Sequence, residues 1–337
     1  MKAILIREFG PLESLTIEEV ADPVPASDEV LIEVRATAIN YVDSLVVTGA
    51  YQFLPERPFS PGKLPAGVVL AVGDSVKNVK PGDRVLTLAE HGGYAQKAVA
   101  KAHDCFTLPD NLPFVQAAGM ALAYDTAWFS LCERGRAKAG DSVLVLGATG
   151  GVGMAAVQLA RAYGLKVIAG ISSPEKREMV LNAGAHHCVD LAAPNLRDSL
   201  REQVYALTDG QGVDIVLDPL GGDIFSAALR TVAWCGRLVV IGFAAGEIPT
   251  VKVNYLLLKN IEVSGVQVSD YRKRRPDMMQ HCLDEIFRLY GEGGLVPTPT
   301  NTVSLEEAAD ALMRVSTRQA SGRMILVPNP ERETVQI

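Results

Sequence analysis

The 337-residue chain has five cysteines, and no two of them stand at a paired spacing: Cys105, Cys132, Cys188, Cys235 and Cys282 are scattered. The absence of any C-x-x-C pair argues against a structural zinc lobe or a secreted disulfide framework, and for the reduced, packed thiols of a cytoplasmic protein. No uninterrupted apolar run is long enough to cross a bilayer, and Met1 to Ile6 lead straight into a strand pattern without the layout of a signal peptide. Positive charge is not in excess: 32 Lys and Arg stand against 39 Asp and Glu, a net charge of −7. That balance argues against a nucleic-acid partner, which calls for a basic face. Metal ligands are sparse as well. His186 and His187 are neighbours, so a strand points them to opposite faces, and His91, His103 and His281 have no partner at ligand spacing. Internal repeats and low-complexity linkers are also missing.

What the chain does have is glycine in one telling place. Val143 to Leu146 form an apolar run, Gly147-Ala148-Thr149-Gly150-Gly151-Val152-Gly153 follows, and Met154 to Arg161 read as a helix. An apolar run of this kind suits a parallel strand covered on both faces. Glycines at the turn let the backbone approach a pyrophosphate, and the helix start offers unpaired N–H groups and a positive dipole end. The strand–turn–helix context makes this a dinucleotide site rather than a loop that merely turns.

The next strand, Leu165 to Ile171, selects between dinucleotides. An NAD site usually places an acid near its end for the ribose 2′-hydroxyl. Ile171 stands there instead, followed by Ser172, Ser173, Lys176 and Arg177, which are suited to a 2′-phosphate. The expected cofactor is therefore NADP(H). A plainer account has Ser172 or Ser173 capping a helix that begins at Pro174, with Lys176 and Arg177 solvated; both can hold together.

Along the chain, short strands and turns dominate first: Lys2–Arg7, Glu29–Ala38, Val68–Val72, Arg84–Leu88 and Ala95–Ala100. They predict a mostly antiparallel β domain. From Ser142 the pattern alternates, with strands at Ser142–Leu146, Lys166–Ile171, His187–Val189, Val213–Asp218, Arg237–Ile241 and Glu262–Val266 and helices between them. This is the pattern of a doubly wound parallel (Rossmann) sheet in an α/β protein. A tail with helices at Asp277–Tyr290 and Leu305–Ser316 and a strand at Arg323–Val327 is expected to rejoin the first domain. The predicted division is 1–121 completed by 267–337, and 122–266.

Several separate segments then carry a resemblance. Asn40-Tyr41-Val42-Asp43, Val79 to Val85 (V-K-P-G-D-R-V), Gly92-Gly93-Tyr94-Ala95, Asp214 to Asp218 with Gly221-Gly222, Gly236 to Gly242 and Leu256 to Asn260 occur in an order and spacing similar to the zinc-free, quinone and enoyl reductase branch of the medium-chain dehydrogenase/reductase superfamily. Zinc-dependent relatives carry a cysteine near Asn40, a G-H-E motif near Gly62-Lys63-Leu64 and a four-cysteine lobe after Gly92. This chain has none of these, nor the acid that zinc-free relatives often keep near Leu64.

The resemblance implies a GroES-like catalytic domain beside the Rossmann domain, and an NADPH-dependent oxidoreductase. It implies catalytic parts for Tyr51, Asn40 and Asp43. Gly49 to Glu56 resembles the loop in which enoyl reductases carry a tyrosine, and a phenol can hold or protonate a developing enolate. Tyr51 as an aromatic packing its own loop, and Asn40 and Asp43 as turn formers, are the structural alternatives. Thr126, Gly242, Phe243, Gly265 and Val266 are placed beside the cofactor; for Gly242 and Phe243 the end of a parallel strand points the same way. The acceptor is a quinone or an activated alkene, and the residues leave both open. A non-catalytic NADPH-binding protein and a zinc alcohol dehydrogenase are the rival classes. Arg272-Lys273-Arg274-Arg275 reads either as a solvated face or as a clamp for acyl-carrier phosphates. A homodimer through Ile261–Val266 is implied by resemblance alone.

Overall fold

A computed structural model describes residues 1–298, 300–320 and 322–329. It divides into two compact units, Met1–Leu122 with Pro297–Ile337, and Ala123–Val296, the boundary falling inside the helix Phe114–Trp128.

In the second unit six strands form one sheet in the order His187–Asp190, Lys166–Ile171, Ser142–Leu146, Val213–Asp218, Val232–Val240, Glu262–Gly265. Every neighbouring pair is parallel, which is the doubly wound order predicted from the alternation. The strands form where apolar residues run continuously because helices cover both faces: Val143, Leu144, Val145 and Leu146 are at most 1% exposed. One face buries Leu144, Leu146, Ile168, Val216 and Leu238 against Leu200, Val204 and Phe225.

In the first unit the strand Glu29–Ala38 is the hub of a mostly antiparallel sheet. It pairs with Ala66–Val72, with Lys97–Lys101 and with Arg323–Leu326. Arg323–Leu326 thus returns to the first unit as predicted, and brings a parallel neighbour, Thr300–Val303, which the sequence pattern did not show. The K-P-G-D-R-V turn is structural. Asp83 accepts the Lys80 N–H at 2.9 Å, and Arg84 donates to the carbonyls of Pro109, Asp110 and Leu112.

The structural boundary differs from the predicted one in the segment 267–296, which lies in the second unit. An amphipathic helix announces that it covers something, without naming what. Pro276–Gly291 buries Met279, Cys282, Leu283, Ile286 and Leu289, and its Glu285 accepts from Tyr163 at 3.3 Å. The helix before it, Val268–Arg274, sends Arg272 inward to Asp125, at 2.6 Å, with both side chains 3% exposed or less. A buried charge pair of this kind costs desolvation on both sides, and removing one member strands the other. Asp125→Ala is therefore expected to lower the stability of the second unit by about 3–5 kcal/mol, read as a fall in the urea midpoint. A midpoint equal to wild type would show that Arg272 finds solvent or another partner.

Candidate functional site

Because the six strands of the second unit are parallel, their C-terminal ends share one edge. Ser142–Leu146 and Val213–Asp218 are the pair where the strand order reverses, the position at which open sheets bind ligands. Gly147 begins the turn with φ +60°, and a Cβ there would meet the Leu220 side chain at 3.1 Å. Gly150 N–H donates to the Gly147 carbonyl at 3.0 Å and caps the helix Gly151–Ala162. Gly153 admits no side chain: its Cβ would stand 2.2 Å from the Gly147 carbonyl oxygen. The first intrahelical bond runs from Met154 N–H to the Gly150 carbonyl, 2.8 Å. The N–H groups of Gly151, Val152 and Gly153 precede it, as an anion at a helix start requires.

Further members of the predicted cofactor set lie along the same edge. Ile171 ends its strand, and Ser173 holds the cap position of the turn Pro174–Lys176, with its carbonyl accepting the Lys176 N–H at 3.0 Å while its hydroxyl makes no capping bond. Ser172 and Arg177 are exposed, and Ser173 and Lys176 half-buried. Gly242 and Phe243 follow Val240, and Val266 N–H donates to the Val240 carbonyl at 3.0 Å, which keeps Gly265 and Val266 alongside. Asp218, which sequence reasoning quoted only as part of a motif, ends the neighbouring strand. One of its oxygens accepts from Leu220 and Gly221 at 2.8 and 3.0 Å, the other has no partner among the described residues, and burial pushes the carboxyl above its ordinary range.

In the first unit Asn40, Asp43 and Tyr51 belong to a second group. Asn40 precedes the helix Tyr41–Val47, and the Asp43 carboxylate accepts the Asn40 backbone N–H at 2.8 Å. The expected turn is therefore a helix start. The N-x-x-D spacing before an apolar run is the signal that marks it, since an acid at the third helical position reaches back to the cap N–H. Asn40 is buried too: its Nδ2 donates to the Ala38 carbonyl at 3.0 Å and its Oδ1 accepts from Arg323 at 2.6 Å. Asp43 is 1% exposed and also accepts from the Tyr94 hydroxyl at 3.2 Å. Enclosure at that depth makes Asp43 a group that holds its neighbours rather than one that meets a substrate. Desolvation raises its pKa to about 6, against the Asn40 N–H, the Lys63 charge, the Tyr94 hydroxyl and Arg323, which all favour the carboxylate. Burial likewise pushes the Tyr94 phenol up. Tyr51 is half-buried at the margin of the same core, edge-on to Phe53 with ring centroids 6.3 Å apart.

Two predicted features separate from these groups. Arg272 of the basic run is sealed against Asp125, while Arg275 pairs with Asp277 at 2.8 Å and Arg274 lies 3.9 Å from Asp270. The run is therefore not a clamp of four exposed cations. Thr126 donates to Asp125 at 3.2 Å, which ties it to that buried pair. Lys259, in the segment Leu256 to Asn260 that carries part of the resemblance, donates to the carbonyls of Arg230 and Val232 and to the Tyr205 hydroxyl. Among the described residues, no three His, Cys, Asp or Glu side chains converge as a metal ion needs, and no helix is long and apolar enough to cross a membrane.

The Asp43 environment sets a pH dependence. Its folded pKa lies above the ordinary 3.8, so between 3.8 and about 6 the folded chain binds more protons than the unfolded one. Stability contributed by that proton is full below this window and lost as pH rises through it, a change of about 3 kcal/mol. Urea unfolding of Asp43→Asn and wild type over a pH series should show the variant gaining on wild type as pH rises; a constant difference would place the Asp43 pKa near its ordinary value.

Residues 26–110 match the family model "Alcohol dehydrogenase GroES-like domain", and residues 151–285 match "Zinc-binding dehydrogenase". The chain is 36% identical over 313 residues to quinone oxidoreductase-like protein 2 of Bos taurus, covering 93% of this chain and 88% of that protein. The quinone oxidoreductase of Pseudomonas syringae pv. tomato is similar in structure, with a TM-score of 0.89 and 31% identity over 97% of this chain and 99% of that one. The Escherichia coli quinone oxidoreductase, solved in complex with NADPH, has a TM-score of 0.88 and 27% identity over 97% and 100% of the two chains. With its Rossmann sheet, its GroES-like first unit and this likeness over nearly its whole length, the chain belongs to the medium-chain dehydrogenase/reductase superfamily as a quinone oxidoreductase-like oxidoreductase.

Proposed function

We propose that the protein is an NADPH-dependent quinone oxidoreductase working without zinc. The observation that carries the cofactor assignment is the end of the strand Lys166–Ile171. An isoleucine occupies the place of the ribose-binding acid, and Ser172, Ser173, Lys176 and Arg177 offer two hydroxyls and two cations to a 2′-phosphate. The residues also fit the rest of the cofactor. A pyrophosphate would lie against Gly150, Gly151, Val152 and Gly153, and the nicotinamide end against Gly242, Phe243, Gly265 and Val266. Bound NADPH supplies the hydride.

The protein's own contribution to the acceptor is electrostatic. A quinone taking up hydride builds negative charge on oxygen, and a phenol aimed at that oxygen stabilises the charge as it forms. Tyr51 is assigned this part. Asn40 keeps one Nδ2 proton beyond the bond to Ala38. Asp43 and Tyr94 hold the start of the helix that carries Asn40 at its cap. Reduction of an activated alkene is the second reading, and the tyrosine-bearing loop Gly49–Glu56 favours it.

A homodimer through Glu262–Gly265 belongs to the same proposal. This is the outermost strand of the parallel sheet, and the helix before it exposes Leu257 and Leu258 at 78% and 71%. A cytoplasmic location suits five free thiols.

The test is oxidation of NADPH, with NADH in parallel, by benzoquinone, phenanthrenequinone, an α,β-unsaturated ketone and crotonyl-CoA. Turnover of the quinones with NADPH is expected. Faster turnover of the ketone or crotonyl-CoA would make the protein an enone reductase, and equal use of NADH would remove the 2′-phosphate assignment. Lys176→Ala should raise the KM for NADPH about tenfold, the loss of one charge-assisted hydrogen bond, and leave the KM for NADH unchanged.

A further inference from the structure

Lys63, whose charge favours the Asp43 carboxylate, is itself buried. Its side chain is 4% exposed, and a lysine is seldom buried without a reason that offsets its desolvation. The segment presenting it is rigid. Ser60, Pro61 and Gly62 accept the N–H groups of Gly92, Tyr94 and Gly93 at 2.7–3.0 Å, and Leu64 N–H donates to the Ala89 carbonyl at 2.8 Å. Gly62 has φ +89°, where a Cβ would strike the Tyr94 ring at 2.3 Å, and Leu64 takes φ 55°, a left-handed conformation rare for leucine. The backbone on both sides of Lys63 is thus held in an unusual shape that sends its side chain inward.

The ammonium meets two groups there. Glu90 accepts a hydrogen bond from it and supplies the counter-charge, and the Tyr51 ring lies with its centroid 5.2 Å away. Asp43 and His91 also feel the charge, which favours the Asp43 carboxylate and opposes protonation of His91. A cation over a phenol ring in a desolvated setting is an attractive contact that depends on the ring's orientation. Tyr51 sits on a loop at the margin of the core, and among the described residues Phe53 is the aromatic ring beside it.

We propose that Lys63, anchored by Glu90, is a positioning residue that holds the Tyr51 ring so that its hydroxyl stays directed at the acceptor oxygen. The proposal rests on the acceptor role assigned to Tyr51, and its test separates the two. In full-length protein carrying ring-labelled tyrosine, with the Tyr51 signal assigned through Tyr51→Phe, Lys63→Met should shift or broaden that signal and Lys63→Arg should restore it. In parallel, Lys63→Met should lower kcat for benzoquinone about thirtyfold, the size of a lost desolvated cation–π contact, with NADPH affinity unchanged and rescue by Lys63→Arg. If Lys63→Met does not fold, Glu90→Gln releases the anchor and should move the same signal and kcat in the same direction. An unmoved Tyr51 signal overturns the proposal, as does a moved signal with unchanged kcat in an enzyme that reduces quinones. A moved signal in a protein that reduces no acceptor supports the positioning of the ring and removes only the function assigned to Tyr51.

Discussion

The carbonyl oxygen of Gly147 lies 2.2 Å from where a Cβ on residue 153 would stand, and much of the second unit follows from that approach. With hydrogen at that position the helix Gly151–Ala162 starts directly against the end of its strand, so its first N–H groups face the edge where the sheet order reverses. A larger residue would push the helix start away from that edge. The same spacing constrains the neighbours: Leu220, beyond the adjacent strand, packs where a side chain on residue 147 would be. Backbone proximity, rather than any single side chain, makes the edge suitable for a phosphate-bearing ligand.

Buried charge organises what glycine does not. In the second unit Asp125 and Arg272 neutralise each other and tie the helices Phe114–Trp128 and Val268–Arg274 together. In the first unit Asp43 gathers the Asn40 N–H and the Tyr94 hydroxyl, Arg323 reaches Asn40, and Lys63 leans on Glu90. Asn40, Asp43, Lys63, Tyr94, Asp125 and Arg272 lie away from water, so each is stable only where its partner stands. That requirement converts isolated polar residues into fixed positions, which is what a site that orients a small acceptor needs.

The parts legible in the sequence are those whose physics is local. Five strands of the parallel sheet, including Ser142–Leu146 and Val213–Asp218, begin where the sequence pattern placed them, because strands covered on both faces carry nearly continuous apolar runs. The glycine turn and the missing acid at Ile171 were equally plain, since backbone clearance and the chemistry of a ribose contact depend on residue type at known offsets. The helix Tyr41–Val47 was hidden by its brevity and by Asn and Asp, which serve turns as readily as caps.

Partnership across long sequence separations was beyond the sequence. Asp125 lies 147 positions from Arg272 and Asn40 lies 283 from Arg323, and nothing at either end of those pairs names the other. The amphipathic helix Pro276–Gly291 showed that it had a face to bury, while its placement in the second unit was decided by which core could receive it. By itself the sequence determined the parallel sheet and the glycine turn that follows Leu146, because these follow from side-chain size and polarity along a few consecutive residues. Only the tertiary structure decided which charges are enclosed, that Lys63 meets Tyr51 and Glu90, and that Arg272 is no surface cation, because burial is a property of the packed chain and not of any stretch of it.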